Sequence, residues 1–141
     1  HQIIDLRSIA EVVCNGMRLM GTRLRTYEKR PLDPDCDHLY AENGYEGIGL
    51  MVQNGQVTRV EVSNPTVSTL SGVNVGDSTA RLKQLFGSRL TIEQHKYDDT
   101  GFYYYLWERH ERYGVKFEIV EDKVREIYAG DKSIRLVEGC A

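Results

Sequence analysis

The stretch DPDCDH, residues 33–38, gathers the chain's most reactive side chains. It places the thiol of Cys36 two residues before the imidazole of His38, among three carboxylates. Such a set is typical of a reactive Cys-His pair or of a metal clip. In a strand, however, the two side chains would share a face about 7 Å apart, and neighbouring carboxylates disfavour the thiolate that either role needs. We therefore predict a polar turn that enters a strand, with Cys36 in a disulfide.

Other candidate chemistry is sparser. His95 and His110 have no partner at a useful spacing, so we expect surface imidazoles. The turn at 76–78 could bind an anion at a helix N-terminus, but it lacks the lysine and the glycine density of a phosphate loop, and Asp77 would repel a phosphate. We predict an ordinary helix cap there. The chain is accordingly predicted to be no enzyme and to need no cofactor and no metal.

The segment GFYYYLWERHERYG, residues 101–114, holds four of the nine tyrosines and the only tryptophan. The period of a strand divides its first half into two sets: Phe102, Tyr104 and Leu106 on one face, and Tyr103, Tyr105 and Trp107 on the other. Phe102 and Leu106 have no polar atom to satisfy, so their face is predicted to be the core. The second set is then expected on an open face of the sheet.

Large side chains with a polar tip are enriched at binding hot spots. We therefore predict a partner-binding surface, with aromatic anchors and one charged contact: Tyr103, Tyr105, Trp107, Arg109 and Tyr113. Two alternatives stay open for the aromatic face. It could be covered by the first half of the chain or by a loop, or it could be the seam of a homodimer.

An internal repeat organises the chain. GIGLMVQNGQVTRVEV from Gly47 aligns with GVKFEIVEDKVREIYA from Gly114, an offset of 114 − 47 = 67 residues, with coinciding apolar positions. Both copies predict a β-hairpin, with turns at 54–55 and 121–122. We divide the chain into a first helix-and-strand unit over residues 1–62 and a second over 72–141, joined by a connector at 63–71 within one compact domain.

Helices complete the predicted units. GDSTARLKQLFG predicts a helix from about Ser78 to Phe86, with Asp77 or Ser78 as the N-cap and Gly87 as the C-terminal cap. For the first unit two alignments compete, one placing the helix at 8–20 and the other at 22–30. The predicted fold class is α+β: two tandem helix plus antiparallel-strand units, with the helices packed on one face of a curved antiparallel sheet.

Composition narrows the partners and the compartment. A net charge of −3 and a pI near 5.8 over 141 residues argue against nucleic acid. No apolar run approaches the roughly eighteen residues of a membrane span, and the N-terminus lacks the features of an export signal. Cys14, Cys36 and Cys140 suit either one disulfide plus one thiol in an exported protein or three thiols in a cytosolic one. We favour the first, with Cys36 bonded to Cys140 so that the C-terminus is tied down.

The second unit resembles a known fold. Its Gly-apolar-x-apolar-Gly-Asp-Ser start at 72–78, its helix ending in Leu-Phe-Gly at 85–87 and its antiparallel strands are similar to the tandem units of the β-lactamase-inhibitory-protein fold and of small outer-membrane lipoproteins of the SmpA/OmlA type. The connector and the closing residues 138–141 resemble a group of exported proteins of Gram-negative bacteria. This resemblance implies one continuous sheet whose aromatic-rich face grips a protein.

The expected function follows from the aromatic face and the resemblance together. We expect a non-catalytic protein-binding protein of the bacterial envelope, periplasmic or secreted, of the inhibitor or immunity type that occludes a partner enzyme or toxin. The alternative is a structural, lipoprotein-like component of envelope assembly that recognises a membrane protein or a cell-wall element.

Overall fold

Eight strands form one antiparallel sheet in the computed structural model, which describes residues 24–42, 46–66, 69, 72–137 and 139–140. The elements, in chain order, are β1 (Leu24–Thr26), β2 (Cys36–Ala41), β3 (Ile48–Gln53), β4 (Gln56–Val62), α1 (Thr79–Phe86), β5 (Thr91–Gln94), β6 (Phe102–Trp107), β7 (Gly114–Val120) and β8 (Lys123–Gly130). A 3-10 turn at Lys132–Arg135 follows β8.

The strand order is β1-β2-β3-β4-β8-β7-β6-β5, so the second four strands mirror the first four across the β4–β8 pair. Both predicted hairpins are confirmed. Asn54 and Gly55 turn with φ of 53° and 75°, and Glu121 and Asp122 with φ of 52° and 61°, the conformation that two-residue hairpin turns require. The division into two units stays a prediction, and this symmetric order is what a tandem pair of four-stranded units would produce.

The predicted second-unit helix is confirmed as α1. The Oγ of Ser78 accepts a hydrogen bond from the backbone N–H of Arg81 at 3.2 Å, and Gly87 ends the helix with φ of 52°. Leu82 and Phe86 are buried against one face of the sheet. Part of this core face is therefore covered by a single amphipathic helix.

The predicted α+β class with helices packed on the sheet is wrong. Within the described ranges, α1 is the one α-helix and the sheet dominates. A helix at 22–30 is excluded from residue 24 onward, because Leu24–Thr26 is a strand and both Glu28 and Lys29 adopt positive φ, of 59° and 54°. The competing position at 8–20 lies outside the described residues. No helix among the described residues is long and apolar enough to cross a membrane.

Among the described residues, two side-chain clusters lie on opposite faces of the sheet. The larger one, on the α1 side, joins β3, β4, β6, β7 and β8 and includes Tyr104, Leu106 and Phe117. The smaller one, on the other face, comprises Tyr103, Tyr105 and Ile134, with Trp107, Tyr128 and Val137 packed around it. The face opposite α1 therefore holds the buried tyrosines Tyr103 and Tyr105.

Candidate functional site

The C-terminal segment, residues 131–137 and 139–140, lies across the sheet face opposite α1. Arg59 of β4 holds it by donating from Nη1 to the carbonyl oxygens of Ser133 and Leu136, at 2.8 and 2.9 Å. Ile134 is completely buried beneath the segment. A disulfide joins Cys36 at the start of β2 to Cys140, which confirms the predicted pairing. Cys14 lies outside the described residues.

The C-terminal segment covers most of the aromatic set. Tyr103 and Tyr105 are only 5% and 2% exposed, packed against Ile134 and Val137. The predicted alternation along β6 is confirmed, but the predicted open face is wrong for these two tyrosines. Strand periodicity tells which residues share a face, whereas the cover here comes from a segment more than 25 residues further along the chain. Their role in partner binding stays a prediction.

The other predicted contact residues lie at the end of β6 and in the loop after it. Trp107 is half-buried and stacks on Tyr105, with ring centroids 5.8 Å apart and planes within 5°. Arg109 is exposed, and Tyr113 is 39% exposed at the base of the loop. The structure thus leaves Trp107, Arg109 and Tyr113 with surface that a partner can reach.

The sequence did not indicate a polar cavity of about 400 Å³ on this face, which we call the tyrosine pocket. The C-terminal segment forms one wall of it and the sheet forms the floor. Its lining residues are His38, Tyr40, Arg59, Glu61, His95, Tyr97, Tyr103, Lys116, Glu118, Tyr128, Leu136, Val137 and Gly139.

Strand register assembles the floor of the tyrosine pocket. Lys116 on β7 lies opposite Tyr105 on β6 and Tyr128 on β8, and Tyr128 in turn lies opposite Glu61 on β4. Directly opposed residues in antiparallel strands project to the same face, about 5 Å apart. Residues from positions 61 to 128 therefore meet in one row across the sheet.

The carboxylates of this face are already paired. Glu61 accepts from Arg59 at 2.8 Å and lies 3.7 Å from His38. Glu118 lies 2.8 Å from Nε2 of His95. Glu126, just outside the pocket lining, accepts a hydrogen bond from the Tyr128 hydroxyl at 3.0 Å. Burial raises the pKa of both Glu126 and Tyr128, and the charge of Glu126 raises the tyrosine's further.

His95 corrects the expectation of a surface imidazole, because it is buried. Its Nδ1 accepts from the backbone N–H groups of Tyr97 and Asp98, at 3.1 and 3.0 Å. This geometry assigns the proton of the neutral ring to Nε2, which donates to Glu118. The loop after β5 thereby fixes the imidazole as a rigid part of the pocket wall. His110, in contrast, is exposed as predicted.

Lys116 is the least expected residue in the tyrosine pocket. Its side chain is 2% exposed, and Nζ lies 4.2 and 5.1 Å from the ring centroids of Tyr128 and Tyr103. Burial, with a smaller contribution from the charge of Arg59, lowers the pKa of Lys116 to about 8. Within the part of the chain that the structure describes, the ammonium group makes no hydrogen bond and no ion pair.

The DPDCDH stretch forms the polar turn into β2 that was predicted. Arg30 donates two hydrogen bonds to the carboxylate of Asp37, at 2.7 and 2.8 Å, and this pairing holds the pKa of that carboxyl well below its usual range. Among the described residues, no three His, Cys, Asp or Glu side chains converge as a metal site would require. Of this stretch, only His38 reaches the tyrosine pocket.

The sequence carried one signal for the pocket. Because Val115, Phe117 and Ile119 form the core face of β7, Lys116 and Glu118 must lie on the opposite face. The burial of Lys116 and the partial burial of Glu118 could not be read from that alternation, because exposed Lys and Glu are the norm on the second face of an antiparallel sheet.

Comparisons with known proteins show a similarity of fold alone. No family model and no curated protein matches the chain. A solved structure of an extracellular protein containing a SCP domain, from Bacillus anthracis str. Ames, superposes with a TM-score of 0.51 at 9% identity. The match covers 85% of this chain and 43% of that chain, so this chain spans less than half the length of its structural neighbour.

Proposed function

We propose that the chain is a non-catalytic protein-binding domain that receives a partner's side chain or loop in the tyrosine pocket. The observation that carries the proposal is the tyrosine pocket, a cavity of about 400 Å³ lined by tyrosines and by paired charged residues. It lies on the face where the disulfide ties the C-terminal segment to β2. Concave sites with aromatic walls and a few fixed polar groups are the usual form of a binding site.

The sequence-predicted contact residues fit this proposal in different ways. Tyr103 contributes a wall of the pocket, and Tyr105 supports Trp107 from beneath by parallel stacking. A second depression of about 530 Å³, which includes Arg112, shares Leu136 with the tyrosine pocket. A partner seated on the pocket could therefore extend to Trp107, Arg109 and Tyr113 at the neighbouring loop.

The compartment and the type of partner belong to the same proposal. Disulfides persist in oxidising compartments, which supports a periplasmic or secreted protein, and the structural neighbour is an extracellular protein. We place the chain among inhibitor or immunity-type proteins, whose partner is an enzyme or a toxin that presents a protruding loop. Rigid tyrosines and a fixed histidine suit this role, because little conformational entropy is lost on binding.

The test is capture followed by measurement of affinity. The purified domain is used to capture a partner from the extracytoplasmic fraction, and calorimetry then measures one-to-one binding of the identified protein to variants. Tyr97 is 62% exposed at the pocket rim, so Tyr97→Ala is expected to weaken binding about tenfold or more, as is Trp107→Ala. Tyr27→Ala is the matched control, since Tyr27 is 64% exposed and does not line the pocket.

Two results would contradict the proposed function. One is a captured partner whose affinity falls equally with Tyr27→Ala and Tyr97→Ala, because the pocket would then play no special part. The other is turnover of the captured molecule by the domain, which would make the chain an enzyme.

A further inference from the structure

We infer that the tyrosine pocket recognises a carboxylate group and that the ammonium group of Lys116 is its anchor. This inference rests on the proposed function, because it names the chemistry of the group that enters the same pocket. The carboxylate belongs either to an acidic side chain of a partner protein or to a small organic acid, and the two sources present the same charged group.

The first observation is that the ammonium group of Lys116 lacks a hydrogen-bond acceptor among the described residues. A lysine ammonium has three donors and a full charge. Lys116 as a residue is 2% exposed, and its Nζ lies over the rings of Tyr128 and Tyr103. Cation–π contacts offset part of the desolvation, but they satisfy no hydrogen bond. A buried charge without an acceptor is uncommon unless a ligand supplies one.

The second observation is that the neighbouring groups are occupied. The two Nη atoms of Arg59 donate to Glu61 and to the carbonyl oxygens of the C-terminal segment. Only its Nε, which is buried, lacks an acceptor among the described residues. Glu118 is paired with His95. The pocket thus has its carboxylates matched and its donors in excess, so the complementary ligand group is an acceptor.

Charge selects the kind of acceptor. A neutral carbonyl would leave the lysine charge uncompensated, whereas an anion compensates it in a setting where electrostatic attraction is strong. Three carboxylates nevertheless lie near this ammonium, those of Glu61, Glu118 and Glu126. They oppose a doubly charged phosphate more than a singly charged, planar carboxylate. The balance therefore favours one carboxylate, inserted between the rings of Tyr103 and Tyr128.

The test uses small probes on the intact, oxidised domain at neutral pH. The probes are butyrate as a small acid with a single charge, acetyl-glutamate-amide as a side-chain carboxylate, acetyl-glutamine-amide as its neutral isostere, and inorganic phosphate. Binding is followed through the ¹³Cε resonance of Lys116, assigned by its loss in Lys116→Met, and through calorimetry. Lys116→Gln is a second variant, and Lys123→Met removes an exposed lysine of the same hairpin as the control.

The expected result is saturable binding of at least one carboxylate probe and none of the neutral isostere. Both Lys116 variants should weaken it about 30-fold or more, with Lys123→Met unchanged. Tighter binding of acetyl-glutamate-amide than of butyrate would identify a partner's side chain as the source, and the reverse would identify a small acid. Either order supports the inference.

The inference is overturned if phosphate binds while the carboxylates do not, if no carboxylate binds, or if binding survives both Lys116 variants. These failures are separate from failure of the proposed function. A captured protein that loses affinity with Tyr97→Ala but not with Lys116→Met would leave the binding function standing and remove the lysine as its anchor.

Discussion

The charge of Lys116 lowers the stability of the fold, but the proposed recognition of a carboxylate depends on that charge. Folding places an ammonium group among tyrosine rings, where desolvation disfavours its charge. A residue that is costly to bury and lies in a pocket is a candidate for function rather than for stability. Asp37 differs from Lys116, because its carboxylate is paired with Arg30 through two hydrogen bonds in a turn.

Replacement of Lys116 by methionine should stabilise the protein. Lys116→Met keeps an unbranched side chain that is one atom shorter and removes the desolvated charge, so we expect the free energy of unfolding at neutral pH to rise by about 1–3 kcal/mol. Urea denaturation measures it. Lys123→Met, at an exposed position, should change the value by less than about 0.5 kcal/mol.

The pH dependence of stability follows from the same lysine. Its pKa is lowered from 10.5 to about 8 on folding, so the unfolded chain binds more protons between these values and stability should rise with pH from about 8. The rise should end near pH 10, because burial raises the pKa of Tyr105 from 10.0 to about 12, which makes stability fall above pH 10. Arg59 and the carboxylates of Glu61, Glu118 and Glu126 face the lysine.

Denaturation of Lys116→Met across the same pH series isolates the effect. The variant should lose the rise above pH 8 and keep the fall above pH 10. A rise of equal size in the variant would show that another group causes it.

At the scale of elements, glycines allow β8 and its neighbours to pack closely. A Cβ on Gly130 would overlap the carbonyl oxygen of Thr58 on β4. That carbonyl also accepts from the backbone N–H of Asp131 at 3.1 Å and from the Ser133 hydroxyl at 3.2 Å. The β4–β8 junction and the start of the C-terminal segment are therefore held by the same backbone atom.

A methyl group at position 130 should disturb both the β4–β8 junction and the start of the C-terminal segment. Gly130→Ala is expected to lower the free energy of unfolding by about 1–3 kcal/mol, because the obstacle is backbone and cannot rotate away. Gly49→Ala is the control, since a Cβ at Gly49 would meet its nearest neighbours at an ordinary 3.5 Å. Equal effects of the two substitutions in chemical denaturation would contradict the argument.

At the scale of the whole molecule, the disulfide closes most of the chain. Cys36 and Cys140 are separated by 104 residues, so the bond restricts the unfolded chain from residue 36 to residue 140. In the folded state it ties the end of the C-terminal segment to β2, across the face that holds the tyrosine pocket. The bond therefore bears on both stability and the pocket wall.

Removal of the disulfide should destabilise the protein without releasing the whole segment. Cys36→Ser with Cys140→Ser, in a Cys14→Ser background that prevents exchange, is expected to lose about 2–5 kcal/mol. Cys14→Ser alone is the control. Because Arg59 still holds the carbonyl oxygens of Ser133 and Leu136, the segment stays in place. The hydrogen-bonded amides of Ser133, Ile134 and Leu136 should therefore stay protected from hydrogen exchange below the melting range. Full loss of that protection in the disulfide-free variant would show that the bond alone holds the segment.

The amino-acid sequence by itself determined the local features of this protein. Two hairpin turns, the cap and extent of α1 and the alternation of aromatics along β6 follow from residues within about ten positions of one another, because steric preference and strand period act locally. The predicted pairing of Cys36 with Cys140 is also confirmed.

Only the tertiary structure decided what covers each face. The pairing of β4 with β8 brings Glu61 beside Tyr128, and the C-terminal segment returns to bury Tyr105. These contacts join residues far apart in the chain, and their free energy depends on everything else that packs at the same time. For that reason Lys116 is a buried charge in the tyrosine pocket, although the strand pattern places it on the outward face. Tyr103 and Tyr105 likewise lie in the smaller buried cluster and not on the open surface that the sequence predicts.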